Sequence, residues 1–321
     1  MIVAAVIVTR NRPESLSAAL EAVLGQTRRP DLTLVVDNSD GPEVNAAVRF
    51  RFQSERGVRF AMTRRNLGGT GGFAAGIALG LADGADCVWL LDDDAYAQAG
   101  ALAALLKTYR RFCETVDIGF VCSHVVWTDG SPCVMNIPKP AADWSRFYTP
   151  EQPVVAVQSC TFVSVLIPSH VIRAIGLPAP EFFIWYDDNE YTERITRRFV
   201  GLCEPASRVV HALARNEGAV FERVQEGNLW KFRYGVRNEI AVRRRHGGFG
   251  DALIASLRLL REFRSVPRLQ HRILLLHALW QGWRFRYVPP AADAGSLADL
   301  LEEAFGPLQQ VQDVSLETEA G

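Results

Sequence analysis

The amino-acid sequence predicts an α/β fold with a mostly parallel central sheet, flanked by helices and followed by a helical C-terminal extension. Three observations lead to this prediction. Short apolar runs rich in β-branched residues alternate with stretches of helical periodicity, polar residues follow directly after those runs, and the chain becomes helical and basic after about residue 226. Strands connected by helices usually lie side by side in one direction, so this alternation is typical of a parallel sheet.

The first part of the chain contains four predicted strands that alternate with predicted helices. The strands are IVAAVIV (2–8), LTLVVDN (32–38), VRFAMTR (58–64) and CVWLL (87–91). Helices are expected after Asn11 and Pro13, near 43–53, over about 72–82 and over about 98–113. In the first helix proline occupies an early position, where it is favoured, and apolar residues recur every three or four positions.

The later part of the chain is less regular. IGFVCSHVVW (118–127) and CTFVSVLIP (160–168) are predicted strands, and an irregular, proline-rich stretch (132–153) separates them. From about 226 to 287 helical periodicity returns together with many arginines. After residue 305 the chain is polar and acidic, and this composition predicts a flexible tail.

Composition excludes several kinds of protein. The 321 residues include 35 Lys and Arg and 36 Asp and Glu, a formal net charge of -1, so the chain lacks the basic field of a nucleic-acid-binding protein. Its six cysteines have no C-x-x-C spacing, which favours reduced thiols over a disulfide framework or a zinc site. The N-terminal apolar run is too short for a secretory signal or a membrane span. These features predict a cytoplasmic protein.

Polar side chains follow the predicted strands of the first part of the chain. Thr9, Asp37, Arg64 and Asp92 each come after the last apolar residue of a strand. In open α/β sheets ligands bind outside the carboxyl ends of the strands. We therefore expect these four residues to line one crevice.

Three adjacent aspartates, Asp92, Asp93 and Asp94, end the strand CVWLL. Like charges at this spacing repel each other, but a divalent cation that prefers oxygen ligands, Mg²⁺ or Mn²⁺, would neutralise them. Side chains alternate along an extended chain, so Asp92 and Asp94 should point to the same side and form the contact pair. The alternative is that the aspartates cap the next helix and stay solvated.

A glycine-rich turn, RRNLGGTGGFAAG (64–76), opens the third predicted helix. Glycines permit close approach of the backbone, and a helix N-terminus favours an anion. The turn is neither a G-x-G-x-x-G fingerprint nor a P-loop, because no Lys followed by Ser or Thr comes after it. Close packing of a helix is an equal alternative to anion binding here. For Asp37, in DNSDG, a simple turn is likewise as good an explanation as a ribose or base contact.

Four motifs in a fixed order resemble the nucleotide-sugar-binding half of the inverting family-2 glycosyltransferases, which have the GT-A (Rossmann-like) fold. They are VIVTRNRPESL, LVVDNSDG, RNLGGTGGFAAG and LLDDDA. The unbroken aspartate triplet, the N-x-G-G-x-G-G-F turn and the later FFIWYDDNEY (182–191) are most similar to bacterial galactofuranosyltransferases and rhamnosyltransferases. The resemblance covers roughly residues 1–240. It implies a UDP- or dTDP-linked sugar donor, Mg²⁺ or Mn²⁺, and single displacement with inversion at the anomeric carbon.

The resemblance also implies roles for individual residues. Asp188 would be the catalytic base, with Asp187 as second choice. Asp92 and Asp94 would hold the metal together with His211, although a histidine inside VVHAL is equally typical of a core residue. The residues implied in nucleotide or donor binding are Thr9, Arg10, Asn11, Asp37, Arg64, Asn66, Gly68, Gly69, Asp93 and Trp185.

One departure from the resembled pattern concerns the donor sugar. The galactofuranosyl enzymes place a tryptophan immediately before the aspartate pair, whereas here Tyr186 stands between Trp185 and Asp187. Both galactofuranose and rhamnose are therefore retained as expected donor sugars.

The chemistry of the FFIWYDDNEY segment agrees with a base at this position. Inversion needs a base that takes the proton from the acceptor hydroxyl as it attacks the anomeric carbon. Asp187, Asp188 and Glu190 repel one another, so the pKa of at least one of them should rise towards the working range. The alternative is an acidic helix start, and the two are compatible, because a helix that begins at a cleft places its first carboxylates there.

Two C-terminal segments mix aromatic, aliphatic and basic residues at helical spacing, LWKFRYGVRNEIAVRRRHGG (229–248) and LLLHALWQGWRFRYV (274–288). An ordinary extension would pack its apolar face on the domain and leave its arginines in solvent. Basic amphipathic helices can also lie on a membrane, here its inner face, and acceptors in the resembled family are often lipid-linked. An acceptor groove and a contact between copies of the chain are further alternatives.

These elements predict a domain of residues 1–225, a helical region (226–305) and a polar tail (306–321). The domain would consist of a nucleotide-sugar-binding half (1–98) and an acceptor half (99–225). The expected function is metal-dependent transfer of a sugar to a hydroxyl of a glycan, a lipid-linked or a small-molecule acceptor. The alternatives are a nucleotide-sugar-binding protein without turnover and a nucleotidyltransferase, although TRNRPES lacks the glycine-rich phosphate loop that the latter needs.

Overall fold

The computed structural model describes residues 1–306 of the chain. The predicted tail (306–321) lies outside the described residues except for Gly306, which follows the last helix. The strands are β1 (Val3–Thr9), β2 (Leu32–Asp37), β3 (Val58–Met62), β4 (Cys87–Asp92), β5 (Ala95–Ala97), β6 (Ile118–Val126), β7 (Lys139–Pro140), β8 (Tyr148–Thr149), β9 (Gln152–Pro153), β10 (Val155–Ser159), β11 (Val165–Pro168) and β12 (Val200–His211). The helices are α1 (Pro13–Leu24), α2 (Ala46–Phe52), α3 (Gly68–Ala82), α4 (Ala101–Phe112), α5 (Ser169–Ile175), α6 (Asp187–Thr196), α7 (Leu229–His246), α8 (Gly248–Glu262), α9 (Leu269–Arg284) and α10 (Ala294–Phe305).

The main sheet confirms the predicted α/β fold and has a parallel and a mixed half. Its order is β3-β2-β1-β4-β11-β6-β12-β10-β7, with β5 paired to β12. Strands β3, β2, β1 and β4 are parallel, as the alternation of strands and helices predicted. Strand β11 is antiparallel to both of its neighbours, β4 and β6, and β12 is parallel to β6. The carboxyl ends of β1, β4, β6 and β12 therefore lie at the same edge of the sheet.

Two of the predicted elements begin at least four residues away from the observed start. Helix α3 begins at Gly68, before the expected start near residue 72, because the glycine-rich turn is itself the first turn of the helix. The apolar run 160–168 forms a strand only over Val165–Pro168, and the separate strand β10 precedes it. At Cys160 the backbone N–H and carbonyl both bond to Thr192 Oγ1 at 3.2 Å, so a side chain from α6 replaces strand pairing there.

Helix α3 lies unusually close to the sheet. A Cβ atom at Gly76 would come within 2.3 Å of Val6 Cγ1 on β1, so only glycine permits this approach. Most of the helix consists of small or apolar buried residues for the same reason. This close packing sets the distance between the N-terminus of α3 and the carboxyl ends of β1 and β4.

The C-terminal helices divide between two apolar clusters. Helices α7, α8 and α9 share a cluster of their own that includes Phe232, Ile240, Leu259 and Leu275. Helix α10 instead returns to the sheet and packs Leu301 and other apolar residues in the cluster that contains α3. Within residues 1–306, no helix is both long enough and apolar enough to cross a membrane.

Candidate active site

Two aspartates and a histidine meet at the carboxyl edge of the sheet. Asp92, Asp94 and His211 each offer one ligand atom, and these atoms lie within 4.8 Å of one another. The pairing of β5 with β12 sets Ala95 opposite His211, which brings the preceding Asp94 beside the imidazole. Nε2 of His211 is 3.1 Å from Oδ1 of Asp94. The structure thus brings together the three residues that the sequence suggested as metal ligands, and we name them the strand-end cluster.

The electrostatics of the strand-end cluster suit a bound cation. Burial, and next the negative charge of Asp94, raise the pKa of Asp92 to about 8. Burial would also raise the pKa of Asp94, but the hydrogen bond to His211 and the charge of Arg12 outweigh it and hold this pKa below its usual range. Two carboxylates with an imidazole are a ligand set that Mn²⁺ accepts, and the hard oxygens also suit Mg²⁺. The residues present therefore fit the expected metal.

Asn136 holds the imidazole of His211 from its other side. Its Oδ1 lies 2.7 Å from His211 Nδ1, and its own amide nitrogen donates to Thr161 Oγ1 at 2.9 Å. Because Nδ1 is engaged by the amide oxygen, Nε2 is the nitrogen that faces the cluster. Asn136 is buried in a 3₁₀ turn of the irregular stretch 132–153. That stretch has no periodicity, so sequence reasoning did not find this residue.

Asp93 faces a different set of partners from its two neighbours. Its Oδ2 accepts a hydrogen bond from Thr9 Oγ1 at 2.7 Å, and its Oδ1 lies 3.3 Å from the guanidinium of Arg12. Burial raises the pKa of Asp93 above its usual range despite these two donors. The same Arg12 nitrogen bonds Asp94 Oδ2 at 2.8 Å, so one guanidinium bridges two of the three aspartates. Arg12 was not among the residues expected at the site.

A cavity of about 250 Å³ opens beside these aspartates. The residues that line it are Val8, Thr9, Arg10, Arg12, Asn38, Asn66, Gly68, Gly69, Asp92, Asp93, Phe183, Ile184, Trp230 and Lys231. Six of the residues expected in donor binding are among them. Gly68 has φ +71°, and a Cβ there would come within 2.2 Å of the Phe183 carbonyl oxygen, so this position requires glycine. The N-terminus of α3 and three basic side chains, Arg10, Arg12 and Lys231, give this cavity the charge that suits a diphosphate.

Two expected donor-binding residues near the second strand lie outside that cavity. Asp37 is only 1% exposed; its Oδ1 accepts from the Ser39 N–H at 3.0 Å, and its Oδ2 has no hydrogen-bond partner within residues 1–306. Asn11 has φ +55° and binds Asp40 through both amide atoms, with Nδ2 donating at 2.6 Å. Asn11 therefore links the loops that follow β1 and β2. The buried Asp37 keeps one carboxylate oxygen without a hydrogen-bond partner within residues 1–306.

Arg64 and Trp185 also lie away from the cavity. Arg64 is exposed, and its backbone N–H donates to Ala304 of α10 at 2.9 Å. Trp185 packs edge-to-face on Phe232 of α7, with ring centroids 5.2 Å apart. Aromatic residues that the sequence did not single out, Phe183 and Trp230, line the cavity instead. Trp230 belongs to α7, which lies far along the chain from the strand ends. No sequence pattern predicted that this helix would reach the cavity.

Asp187 and Asp188 occupy the first positions of α6, and we name them the helix-start pair. Asp187 is buried and its Oδ2 accepts from Thr70 Oγ1 of α3 at 2.8 Å. The Oδ1 of Asp188 accepts from the Asn189 N–H at 2.7 Å, whereas its Oδ2 has no hydrogen bond to any residue of 1–306. Burial, and next the charge of Asp187, raise the pKa of Asp188 to about 7. The expected rise in a carboxyl pKa is thereby confirmed for Asp188.

Glu190, the third acidic residue of this helix start, is neutralised locally. Its carboxylate lies 3.0 Å from Arg194 Nε and 3.3 Å from His246 Nε2. Burial would raise the pKa of Glu190, but the hydrogen bond from His246 and the charge of Arg194 outweigh it, so this pKa is lowered. Glu190 is therefore a structural acid rather than a second base.

The backbone that leads into the helix-start pair is strained. Phe183, Trp185 and Tyr186 have φ values of 66°, 63° and 66°, a left-handed conformation that bulky residues rarely adopt. Asn238, a fully buried residue of α7, places its Nδ2 within 3.0 Å of three carbonyl oxygens of this segment. These belong to Phe182, Ile184 and Trp185. Strain of this kind persists only where the surroundings impose it, and α7 does so here.

The helix-start pair and the strand-end cluster form one electrostatic site. The charge of Asp187 contributes to the raised pKa of Asp92, although the two residues belong to distant parts of the chain. Thr70 connects them further, because it lies in the glycine-rich turn that lines the cavity and donates to Asp187.

Comparison with known proteins gives the family. The profile of glycosyl transferase family 2 matches residues 4–151. Galactofuranosyltransferase GlfT1 of Mycolicibacterium smegmatis is 31% identical over 227 residues, which are 64% of this chain and 70% of that protein. The chain belongs to glycosyl transferase family 2. The resemblance stated from the motifs is thereby confirmed.

A second relative of this family-2 chain is galactofuranosyltransferase GlfT1 of Mycobacterium tuberculosis. It is 34% identical over 200 residues, which cover 60% of this chain and 64% of that protein. The family-2 chain therefore matches somewhat less than two thirds of the length of this relative.

Among solved structures, the crystal structure of GalNAc-T7 with UDP, GalNAc and Mn²⁺ has the same fold as the family-2 chain. The TM-score is 0.55 at 16% sequence identity, and the match covers 76% of this chain and 48% of that chain. At this identity the likeness concerns the fold alone, and it confirms the predicted GT-A architecture.

Proposed function

We propose that the protein is an inverting, metal-dependent glycosyltransferase that takes a sugar from a UDP- or dTDP-linked donor. The observation that carries this proposal is the presence of two acidic groups with different chemistry in one site. The strand-end cluster offers three metal-type ligands within 4.8 Å, and Asp188 offers a carboxyl group with a pKa of about 7. A protein that only binds nucleotide sugars needs the first group but not the second, because a tuned base serves a reaction.

The strand-end cluster supports a role in holding the diphosphate of the donor. Asp92, Asp94 and His211 would bind Mn²⁺ or Mg²⁺. A cation held there would supply Lewis-acid stabilisation of the negative charge on the departing diphosphate. Lys231 and Arg12 line the cavity that Asp92 also lines, and they would add positive charge beside the diphosphate.

Asp188 is the better candidate for the base of the helix-start pair. Asp187 already accepts a hydrogen bond from Thr70, whereas Asp188 keeps one oxygen without a partner in the described chain. In the proposed reaction this oxygen takes the proton of the acceptor hydroxyl while the hydroxyl oxygen bonds to the anomeric carbon. The bond from that carbon to the diphosphate breaks on the other side, so the configuration inverts.

Asp37 supports a pyrimidine donor. Its buried Oδ2 lacks a partner, and a buried carboxylate oxygen is costly to leave unpaired. Uracil and thymine each carry a ring N–H that would satisfy such an oxygen, and we propose this contact. Asp93, which lines the cavity, would accept hydrogen bonds from the ribose or the donor sugar. Galactofuranose is proposed first because two relatives are galactofuranosyltransferases, and rhamnose second.

The acceptor in this proposal is a hydroxyl of a glycan, a glycolipid or a small molecule. Its attacking oxygen must reach Asp188, which follows Asp187 at the start of α6, where Asp187 is bonded to Thr70 of the glycine-rich turn. A direct assay can determine both the class of acceptor and the linkage that is formed.

The decisive experiment measures release of the nucleoside diphosphate from a panel of nucleotide sugars with Mn²⁺, with Mg²⁺ and with chelator. We expect turnover of UDP-galactofuranose or dTDP-rhamnose that requires metal and an added acceptor alcohol, with inverted product configuration by NMR. Metal-dependent binding of a donor without turnover, across lipid-linked, oligosaccharide and simple alkyl acceptors, would contradict catalysis. A purine-linked donor as the best substrate would contradict the proposed UDP or dTDP donor.

A further inference from the structure

Helices α8 and α9 both pack on α7, and each carries a second apolar face besides the one that contacts α7. The inner face packs on α7 through residues such as Leu259 and Leu275. The outer face exposes large apolar side chains, which we name the α8–α9 face. Its members are Phe249, Leu253, Ile254, Leu257, Leu260, Leu269, Ile273, Leu274, Leu276 and Trp280. Single exposed apolar residues are normal on protein surfaces, but a contiguous set marks a binding surface.

The spacing of these residues places them in stripes along the helices. On α8, Phe249, Leu253, Leu257 and Leu260 follow one another at intervals of four, four and three. On α9, Leu269, Ile273, Leu276 and Trp280 recur at intervals of four, three and four. Residues three or four apart lie on one side of a helix, so each helix presents a continuous apolar stripe to solvent.

Side-chain contacts connect the two helices that carry the stripes. The Trp283 indole of α9 donates to Ser256 Oγ of α8 at 3.1 Å, and its ring centroid lies 5.3 Å from that of Phe249. The short connection between the helices is held by Arg272, whose Nε donates to the Val266 carbonyl at 2.7 Å. These contacts hold α9 beside α8, so one partner can reach both stripes.

The charge around the stripes is strongly positive. Residues 247–288 contain seven arginines and only two acidic residues, Asp251 and Glu262, although the whole chain has a formal net charge of -1. The exposed arginines of this segment that take part in no ion pair within residues 1–306 are Arg261, Arg264, Arg268, Arg284 and Arg286. Arg284 also lies 4.7 Å over the Trp280 ring, so charge and apolar surface are directly adjacent.

We propose that the α8–α9 face docks on an anionic lipid bilayer. Apolar and aromatic side chains rimmed by arginines are the combination that binds at the boundary between acyl chains and negatively charged headgroups. The charge also argues against a second copy of the chain as the occupant, because a symmetric contact would bring these five arginines against each other with only Asp251 and Glu262 of the segment to offset them. The docking does not depend on the proposed function, since vesicle binding requires no turnover.

Vesicle co-sedimentation of the full chain tests the docking. We expect the protein to pellet with phosphatidylcholine vesicles that contain phosphatidylglycerol and to stay in solution with pure phosphatidylcholine. Raising the salt concentration should weaken binding, because it screens the arginines. The double variant Ile254→Glu/Leu257→Glu should lose at least about tenfold in vesicle affinity, since both side chains are exposed members of the stripe. The variant Arg261→Gln/Arg264→Gln should lose binding to the anionic vesicles at low salt.

Phe50→Glu is the matched control, because Phe50 is 75% exposed but lies on α2, away from this face. It should bind vesicles like the unmodified protein, and thermal melting should show that all variants remain folded. Failure of the unmodified protein to pellet with anionic vesicles at low salt would overturn the docking, as would equal binding by the Ile254→Glu/Leu257→Glu variant. A dimer in light scattering that the same double variant converts to monomer, without vesicle binding, would identify the face as a self-interface instead.

Discussion

The strand-end cluster and the helix-start pair are positioned by different physical means. The backbone of Asp92 and of His211, and of Ala95 next to Asp94, is held by strand pairing, through the registers of β4, β5 and β12 in one sheet. The helix-start pair depends on side chains from other elements, because Asn238 of α7 binds the strained segment before it.

This difference separates a rigid part of the site from a part that neighbouring helices set. Sheet registers resist single substitutions, whereas a segment with three left-handed residues relaxes when its hydrogen bonds are removed. We therefore expect substitutions around the strand-end cluster to act on metal and donor binding, and substitutions around the helix-start pair to act on the rate.

The largest expected effect is that of Asp188→Asn. An amide cannot take the proton from the acceptor, so kcat should fall by about 10² to 10⁴, the usual range for a general base. Donor affinity, measured by calorimetry with UDP and Mn²⁺, should stay unchanged. Asp117→Asn, at an exposed position before β6, is the control and should match the unmodified enzyme. If Asp188→Asn weakens donor binding as strongly as Asp92→Ala does, the two acidic groups do not have separate roles.

Asn136→Ala should weaken metal binding by the strand-end cluster. Without the amide oxygen 2.7 Å from Nδ1, the ring of His211 loses the contact that orients it, and metal affinity should fall by about 10- to 100-fold. Titration of the protein with Mn²⁺, followed by electron paramagnetic resonance, measures this without turnover. Asn216→Ala alters the same stretch, where its amide binds Ser131 and Pro132, and should leave metal affinity unchanged. Equal losses in both variants would mean that the loop, and not the contact to His211, sets the affinity.

The pH dependence tests the helix-start pair directly. Asp188 acts as a base only when deprotonated, and burial raises its pKa to about 7. Below about pH 7, kcat/KM should therefore rise by about tenfold per pH unit and then level off at higher pH. A rate profile at saturating Mn²⁺, with metal binding measured at each pH as the control, provides the test. A profile that is flat across the region below pH 7 would argue against Asp188 as the base.

Asn238→Ala has the smallest expected effect on the rate. Three carbonyls of the strained segment would lose their donor, so the free energy of unfolding should fall by about 1–3 kcal/mol. A several-fold loss in kcat with little change in donor KM should accompany it, because the helix-start pair shifts while the cavity remains. Asn228→Ala removes a similar amide-to-carbonyl bond just before the start of α7 and is the control. Reduced stability with unchanged kcat would show that the segment keeps its shape without Asn238.

Much of the parallel half of the fold could be predicted from the sequence, because each of its strands is marked by the residues of that strand alone. The strands around Val6, Val35 and Leu90 are continuous apolar runs, and buried parallel strands produce such runs. The mixed half was harder to predict, since β11 pairs with β4 from a distant part of the chain and the periodicity of a strand does not reveal its direction. The two-residue strands of the stretch 132–153 leave no pattern at all.

The same contrast holds within the site. Asp92 and Asp94 could be predicted because side chains alternate along a strand, and Gly68 because a left-handed position at a helix start requires glycine. Asn136 and Asn238 could not, because each acts through a single contact to a residue far along the chain. Arg12 and Lys231 were missed for a similar reason, since isolated basic residues are common on any surface.

The contact between Thr70 and Asp187 has a consequence for protein engineering. Thr70 lies in the glycine-rich turn, donates to Asp187 at 2.8 Å and bonds the Phe183 carbonyl through its backbone at 3.3 Å. The turn is therefore not an interchangeable module. A chimera that receives this turn from a relative, in order to alter its choice of donor, would also need the matching 183–187 segment, or it would exchange the donor preference and disable the base in the same step.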